Sequence, residues 1–350
     1  EETALLLNEF DKKQECCDEY HKFINNKITP LINLSKLENE LNIKEIIVKD
    51  EGKRLGLKSF KGLGALFAIN MLENKPHTLC TMTDGNHGKG VAFAAKTLGI
   101  RSKIFVPNIM SKSRIDAIRE LGAEVIIVNG SYDDSIEEVK QKSIENDWCL
   151  VSDTSWEGYT EIPKNIMAGY GTIFREIEEQ RKNKNPITDV IIQTGVGGLA
   201  AAACAWVELN KIKSNVWCDD VKIIIVEPLD ADCMLENVKN QHNNIDKELI
   251  SCKGKTNSIM AGLNCGTPSL ISWPIIRDIT SYFVTIGDNW AKNSMKKMHN
   301  ENVIAGETGA VGVAAIMAIP SLFNENSVIL TINTEADTDP DSYNNIINND

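Results

Sequence analysis

Short unbroken runs of Val and Ile recur along the chain, and between them apolar residues fall three or four apart. The runs predict strands at 45–49, 78–82, 103–106, 124–128, 149–151, 189–193, 221–226, 282–286 and 327–332. Apolar spacing predicts a helix over 63–72 and another ending at Leu98, where Val91, Ala94, Ala95 and Leu98 share a face and Gly99 stops the turn. Ser111 reads as the cap of a helix carrying Ile115, Ile118 and Leu121, closed by Gly122. Further helices are expected over 132–145, 162–180, 199–209, 268–280, 288–300 and 306–319. Residues 1–45 are polar with short helical patches, Ile28-Thr29-Pro30-Leu31 reads as a turn into extended chain, and 238–258 reads as a surface loop.

Strands and helices therefore alternate, with no internal repeat. Runs that are apolar throughout, rather than at every second position, belong to strands covered on both faces. The fold class expected is α/β with parallel sheets. Ligands of such sheets bind beyond the carboxyl ends of the strands. Asp84, Asp153, the Gly195 loop, Glu227 and Thr334 all follow expected strands, so they are expected to converge on one cleft.

Charge narrows the partners. Lys and Arg number 37 against 49 Asp and Glu, a net charge of −12. A basic stripe is missing, which argues against nucleic acid or an anionic membrane as partner. No apolar run reaches membrane-spanning length, and no signal peptide is expected at the start. Nine cysteines are scattered without a C-x-x-C pair, which argues against zinc and for a reducing, cytoplasmic setting. With five histidines dispersed along the chain, no metal site is expected.

The first candidate for chemistry is Lys61, in Ser59-Phe60-Lys61-Gly62-Leu63-Gly64 at the mouth of an apolar helix. A surface lysine at a helix start is one reading. A desolvated amine with a lowered pKa, able to join an aldehyde cofactor covalently, is the other. Gly195-Val196-Gly197-Gly198 lies between a buried strand and a helix start. Glycines there let backbone N–H groups approach an anion, and a phosphate is the natural guest. The same loop, with Ala200 in the third small position, weakly fits a dinucleotide pattern whose acid would be Glu227; a purely structural turn is a third reading. In Asp84-Gly85-Asn86-His87-Gly88 the glycines suit a tight turn offering N–H donors to a substrate carboxylate. Asn86 can donate to a phenolate, and His87 is either a base or a packed histidine. Asp153 could be a helix N-cap. Thr334 could face a ring nitrogen or simply end its strand.

Together these parts resemble the fold type II, or tryptophan-synthase-β-like, pyridoxal-phosphate enzymes. In detail they resemble the diaminopropionate ammonia-lyase branch. The matching stretches are Lys49 to Lys61, Thr83 to Gly88, Asp153 to Tyr159, Ile259-Met-Ala-Gly-Leu-Asn-Cys265 and Gly306-Glu-Thr-Gly-Ala-Val-Gly312, in order over about 30 to 345. The resemblance implies two three-layer αβα domains with mostly parallel sheets and an active site between them. The larger would comprise 1–83 and 173–350, and the smaller, 84–172, would be inserted in it. It implies pyridoxal 5'-phosphate as cofactor, with Lys61 as its covalent anchor and proton carrier. Asn86 would meet the phenolic oxygen, Gly195, Val196, Gly197 and Gly198 the phosphate, and Thr334 the pyridine nitrogen.

The same resemblance makes Asp84 and Asp153 an acid–base pair for opposite enantiomers, and places Asp84, Gly85 and His87 at the substrate. Asp84 is expected to choose the substrate, because a carboxylate favours a β-ammonium over a β-hydroxyl. The implied reaction is α,β-elimination of 2,3-diaminopropionate to pyruvate and two ammonia, in a homodimer. A serine/threonine dehydratase, a nicotinamide-dependent oxidoreductase using the Gly195 loop and a non-catalytic binding protein remain as alternatives. A Cys233–Cys265 disulfide is a hypothesis of the same origin. The chain departs from the family after Thr334-Glu335, where Ala336-Asp337 replace an expected Gly-Asn. A strained backbone and an extra charge near the ring are expected there.

Overall fold

The computed structural model describes residues 1–16, 18–25, 27–83, 85–108, 110–129, 132–242 and 248–349, and the side chains of all of these but 18, 19 and 132–135. Ten strands fall among the described residues: β1 Leu31–Asn33, β2 Glu45–Asp50, β3 Thr78–Met82, β4 Arg101–Pro107, β5 Glu124–Val128, β6 Cys149–Leu150, β7 Ile187–Gln193, β8 Trp217–Pro228, β9 Tyr282–Ile286 and β10 Val328–Asn333. They form a six-stranded sheet in the order β1-β2-β10-β7-β8-β9 and a four-stranded sheet in the order β5-β4-β3-β6. Every pair is parallel except β1 with β2.

The unbroken Val/Ile runs have a direct structural cause. Alternate residues of one strand enter different cores. Ile47 of β2, Val190 and Ile192 of β7, and Ile223 and Ile225 of β8 pack with Leu63, Phe67, Ile166, Ala201 and Ala202. Their neighbours Ile46, Val48, Ile191, Ile224 and Val226 pack on the opposite face with Met295, Val311 and Ala314. A third cluster, Cys80, Phe105, Val128 and Val139, covers one face of the four-stranded sheet.

Several expectations shift. The four-stranded sheet starts with β3, ahead of the boundary expected at residue 84. The helix Cys233–Gln241 runs into the expected 238–258 loop, and Pro340–Asn348 forms a helix that apolar spacing did not reveal. That last helix has its own cap, Asp339 accepting from Ser342 N at 3.4 Å. Ser111 stands at the N-cap position of Lys112–Arg119 in extended backbone, but its hydroxyl pairs with Ser113 Oγ at 3.1 Å instead of capping. The polar first segment forms the helix Glu2–Glu15, which buries Leu6 and Phe10. No helix among the described residues is long and apolar enough to cross a membrane.

The stretch from Lys49 to Arg54 is a buried charge network. Lys49 Nζ meets Glu176 Oε2 at 2.7 Å, and Arg54 bridges Glu51 and Glu176, also at 2.7 Å each. Lys49, Glu51 and Arg54 are fully buried. The network ties β2 and the turn after it to the long helix Glu161–Arg181. Removing one partner leaves the others uncompensated, so Glu176→Gln is expected to cost about 3 kcal/mol. Urea unfolding of the variant against the parent chain measures it.

Candidate active site

Three connections bring the site together. Lys61 is the first residue of the helix Lys61–Asn70, whose glycines let it lie close to its neighbours. A Cβ on Gly64 would come within 2.9 Å of the Ile166 carbonyl, and one on Gly90 within 2.8 Å of the Lys61 carbonyl. The residues before Lys61 are stitched to the loop after β10. Phe60 N donates to Thr334 O at 3.3 Å, and Ala336 N donates to Lys58 O at 2.9 Å. Finally, Ser155 Oγ contacts Ser269 Oγ at 2.7 Å, which fastens the loop after β6 to the opposite side of the cleft.

The result is a cavity between the carboxyl ends of β3 and β6 on one side and of β7 and β10 on the other. Lys61, Asn86, His87, Asp153, Gly195–Gly198 and Thr334 all line it. Gly85 lines it too; Asp84 lies outside the described residues. The N–H groups of Gly85 and Gly88, expected to face a substrate carboxylate, both donate to Thr83 Oγ1 at 3.0 Å. They lock the turn instead, and φ of +149° at Gly85 is why glycine stands there.

Lys61 Nζ donates to Asp153 Oδ2 at 2.5 Å, and His87 Nδ1 lies 3.6 Å from the same oxygen. The lowered pKa expected for Lys61 does not follow. Burial pulls its ammonium down, but the surrounding acidic groups, Asp153 first among them and then Tyr170, together more than offset that and the net shift is upward. Burial likewise pushes Asp153 up, yet His87 and Lys61 hold it well below the usual carboxylate range. His87 is shifted down, chiefly by burial, while its Nε2–H donates to Val151 O at 2.8 Å. Asp153 is no helix cap: the next helix begins at Glu161.

Opposite Lys61, the glycine loop opens the helix Gly198–Asn210. The first N–H groups of such a helix lack intrahelical acceptors. Two of its glycines are needed as such: a Cβ on Gly195 would lie 2.8 Å from Cys265 Sγ, and Gly197 has φ of +107°. Thr194 Oγ1, beside the loop, is buried without a hydrogen-bond partner among the described residues. An orphaned hydroxyl beside free N–H groups fits a phosphate. At the far end Gln193 Nε2 donates to Thr334 Oγ1 at 3.1 Å, leaving the threonine hydroxyl hydrogen free to turn to a ring nitrogen. Amine, anion cradle and hydroxyl thus fit an aldehyde-bearing, phosphorylated pyridine ring.

Glu227 is not a ribose ligand. Its carboxylate accepts from Met234 N at 2.7 Å and Leu235 N at 2.9 Å, at the start of the helix Cys233–Gln241. The Cys233–Cys265 disulfide is not formed: Cys233 is a buried free thiol, and burial and Glu227 push it up. No cluster of His, Cys, Asp and Glu able to hold a metal occurs among the described residues. The departure after Glu335 resolves simply. Ala336 is not in positive-φ backbone, and Asp337 pairs at 2.9 Å with Lys58 on a partly exposed surface.

Among the lining residues not singled out in the sequence are Gln193, Tyr170 and Glu335. Gln193 ends a strand in the same way as the residues that were. Tyr170 lies inside a helix, with no local mark. Burial pushes its phenol up, against the pull of the Lys61 charge.

This arrangement defines a pyridoxal-phosphate enzyme of the fold type II architecture. The model of the family described as "Pyridoxal-phosphate dependent enzyme" matches residues 24–335, and the chain belongs to that family. Its relatives include the diaminopropionate ammonia-lyase of Escherichia coli K12, 35% identical over 99% of this chain and 93% of the relative. The corresponding enzyme of Salmonella typhimurium is 36% identical over 99% and 94%. A crystal structure of the E. coli enzyme in complex with an aminoacrylate-PLP azomethine reaction intermediate superposes with a TM-score of 0.81, at 35% identity, covering 99% of this chain and 91% of that one.

The buried Glu227 has a consequence for stability. Burial pushes its carboxyl up from the ordinary 4.5 to about 7. A raised acid pKa stabilises the fold fully below the ordinary value, and that contribution is lost as pH rises through the folded one. Between about 4.5 and 7, the parent chain is therefore expected to lose stability relative to Glu227→Gln, as read by urea unfolding across that window.

Proposed function

We propose that this chain eliminates ammonia from 2,3-diaminopropionate, the product hydrolysing to pyruvate and a second ammonia. The observation that carries the reading is the Lys61–Asp153 pair facing the glycine cradle across one cavity. The similarity to diaminopropionate ammonia-lyases along nearly the whole chain supports the substrate.

In this reading Lys61 anchors the cofactor's aldehyde, and Gly195, Val196, Gly197 and Gly198 hold its phosphate. Asn86 meets the phenolic oxygen, and the Thr334 hydroxyl the ring nitrogen. When bound, pyridoxal phosphate supplies an electron sink for the bond broken at Cα. With its nitrogen joined to the aldehyde, Lys61 would no longer hold Asp153 in the direct ammonium–carboxylate contact of the resting chain. That carboxylate is then free to take a proton from Cα or to face a cationic β-substituent. Asp84 serves the opposite enantiomer and, with Gly85 and His87, borders the substrate. A carboxylate about 4 Å from a β-ammonium gains up to ~4 kcal/mol at an effective dielectric near 20, before desolvation. A β-hydroxyl gains nothing comparable, so serine is a poorer substrate. Leaving-group protonation matters because ammonia departs badly as an amide anion.

We read the two sheets as two domains, the smaller inserted over 84–172 and completed by β3. A homodimer in a reducing, cytoplasmic setting is part of the same reading; sedimentation of the purified chain tests the first.

The chain loaded with pyridoxal phosphate is expected to show a visible absorption band, and borohydride to fix the cofactor on Lys61. Lys61→Ala is expected to lose both. Pyruvate formation from diaminopropionate should exceed that from serine; the reverse ratio identifies a serine dehydratase instead. Asp153→Asn is expected to cost about a hundredfold to ten-thousandfold in kcat on one enantiomer of diaminopropionate while sparing the other. Equal losses on both overturn its assignment as a one-sided base.

A further inference from the structure

The carboxylate of Glu335 is buried, lines the cofactor cavity and bridges its two sides. Its Oε2 accepts from the Asn86 side-chain amide and, at 3.3 Å, from Thr338 Oγ1. Its Oε1 accepts from the Thr308 backbone N–H at 3.2 Å. The backbone of Glu335 is fixed as well: its carbonyl accepts from Gly306 N at 2.9 Å, and the residue bridges to Ser59, two positions before Lys61. The acid is therefore held at both ends, and these side-chain partners are all donors.

That geometry determines how the Asn86 amide is turned. An asparagine amide presents –NH₂ on one side and C=O on the other, and rotation by half a turn exchanges them. A carboxylate accepts only, so it selects the orientation in which Nδ2 faces Glu335. One amide hydrogen is then committed to Glu335, and the second is left in the cavity. We propose that Glu335 is a positioning residue that sets the Asn86 side chain so that it shows a donor, not an acceptor, to the cofactor's phenolic oxygen. The proposal rests on the reading of the cavity as a pyridoxal-phosphate site. It also makes the junction of the two sheets functional. Asn86 follows β3, whereas Glu335 follows β10, so the correct donor is displayed only when the two sides are in register.

Glu335→Gln separates this from simple packing, because the shape is kept. The glutamine oxygen can still accept from Thr308 N–H, but its –NH₂ then opposes that of Asn86, and a donor facing a donor turns the asparagine round. The purified chain is loaded with pyridoxal phosphate, and its visible spectrum, cofactor dissociation constant, kcat and KM for diaminopropionate are measured. The expected result is a shifted visible band, a weaker cofactor complex and kcat lower by about tenfold to a hundredfold with KM little changed. In an Asn86→Ala background the same exchange is expected to shift the band no further.

An unshifted band in the single variant overturns the proposal. So does an equal shift in the Asn86→Ala background, which would make Glu335 a charge acting on the ring directly. Should Glu335→Gln alone not fold, Glu335→Gln with Asn86→Asp is read instead, because it reverses donor and acceptor across the same contact. It should fold and show a shifted band, since an acceptor now faces the phenolic oxygen; a parental band there overturns the proposal. A parent chain that takes up no pyridoxal phosphate removes the underlying reading and this one with it. A parent band with an unshifted variant removes this one alone.

Discussion

The contact on which the site depends is the ion pair between Lys61 and Asp153, 2.5 Å apart. The lysine opens a helix packed into the core beside the six-stranded sheet, and the aspartate follows a strand of the four-stranded one. Beyond this pair, the His87 ring lies 3.6 Å from Asp153, and burial shifts it away from its charged form. An amine and a carboxylate largely withdrawn from bulk water tolerate burial only together. The pair therefore constrains how the two sheets meet. It also describes the resting chemistry: a nucleophile kept protonated until something else claims its nitrogen. Desolvation is often taken as the way to activate a lysine, but here the neighbouring acidic groups, led by Asp153, together outweigh it.

A second layer of polar contacts supports that pair without touching it. Gln193 donates to Thr334 at 3.1 Å, and Thr308 N and Asn86 both donate to Glu335. Each fixes the direction of a group rather than adding much to stability. The larger stabilising charges lie elsewhere, in the Lys49–Glu51–Arg54–Glu176 network, which holds the turn preceding Lys61. The stretch from Lys49 to Lys61 thus has two unlike roles. Its first half anchors, and its last residue faces the cavity.

Much of this was legible in the residues. Strands Thr78–Met82, Glu124–Val128 and Tyr282–Ile286 lie where the apolar runs place them: the first is buried along nearly its whole length, while the other two are edge strands, only partly covered, that the β-branched and aromatic run itself marks. The cleft was legible too, since parallel sheets expose their strand ends together and the glycine, Asn86 and Thr334 positions all follow strands. What failed was local capping. Ser111 has the right residue type in the right backbone, yet its hydroxyl found Ser113. Tyr170 was invisible because one face of the long helix Glu161–Arg181 is apolar throughout, and a tyrosine in such a stripe looks like core.

Glu227 and Glu335 look alike in the sequence and differ in the folded chain. Both are acids at the carboxyl end of a parallel strand, and both are buried. Strand order offers no reason to prefer one. Their donors do. Glu227 receives two N–H groups from one helix start a few residues on, so its partners are local and its role is to seat that helix. Glu335 has one local donor, Thr338, but receives others from Asn86 and Thr308, which lie 249 and 27 residues away in the chain. A local contact is made whether or not the domains meet, whereas a contact spanning most of the chain forms only in the assembled cleft. By that criterion Glu335, and not Glu227, belongs to the site.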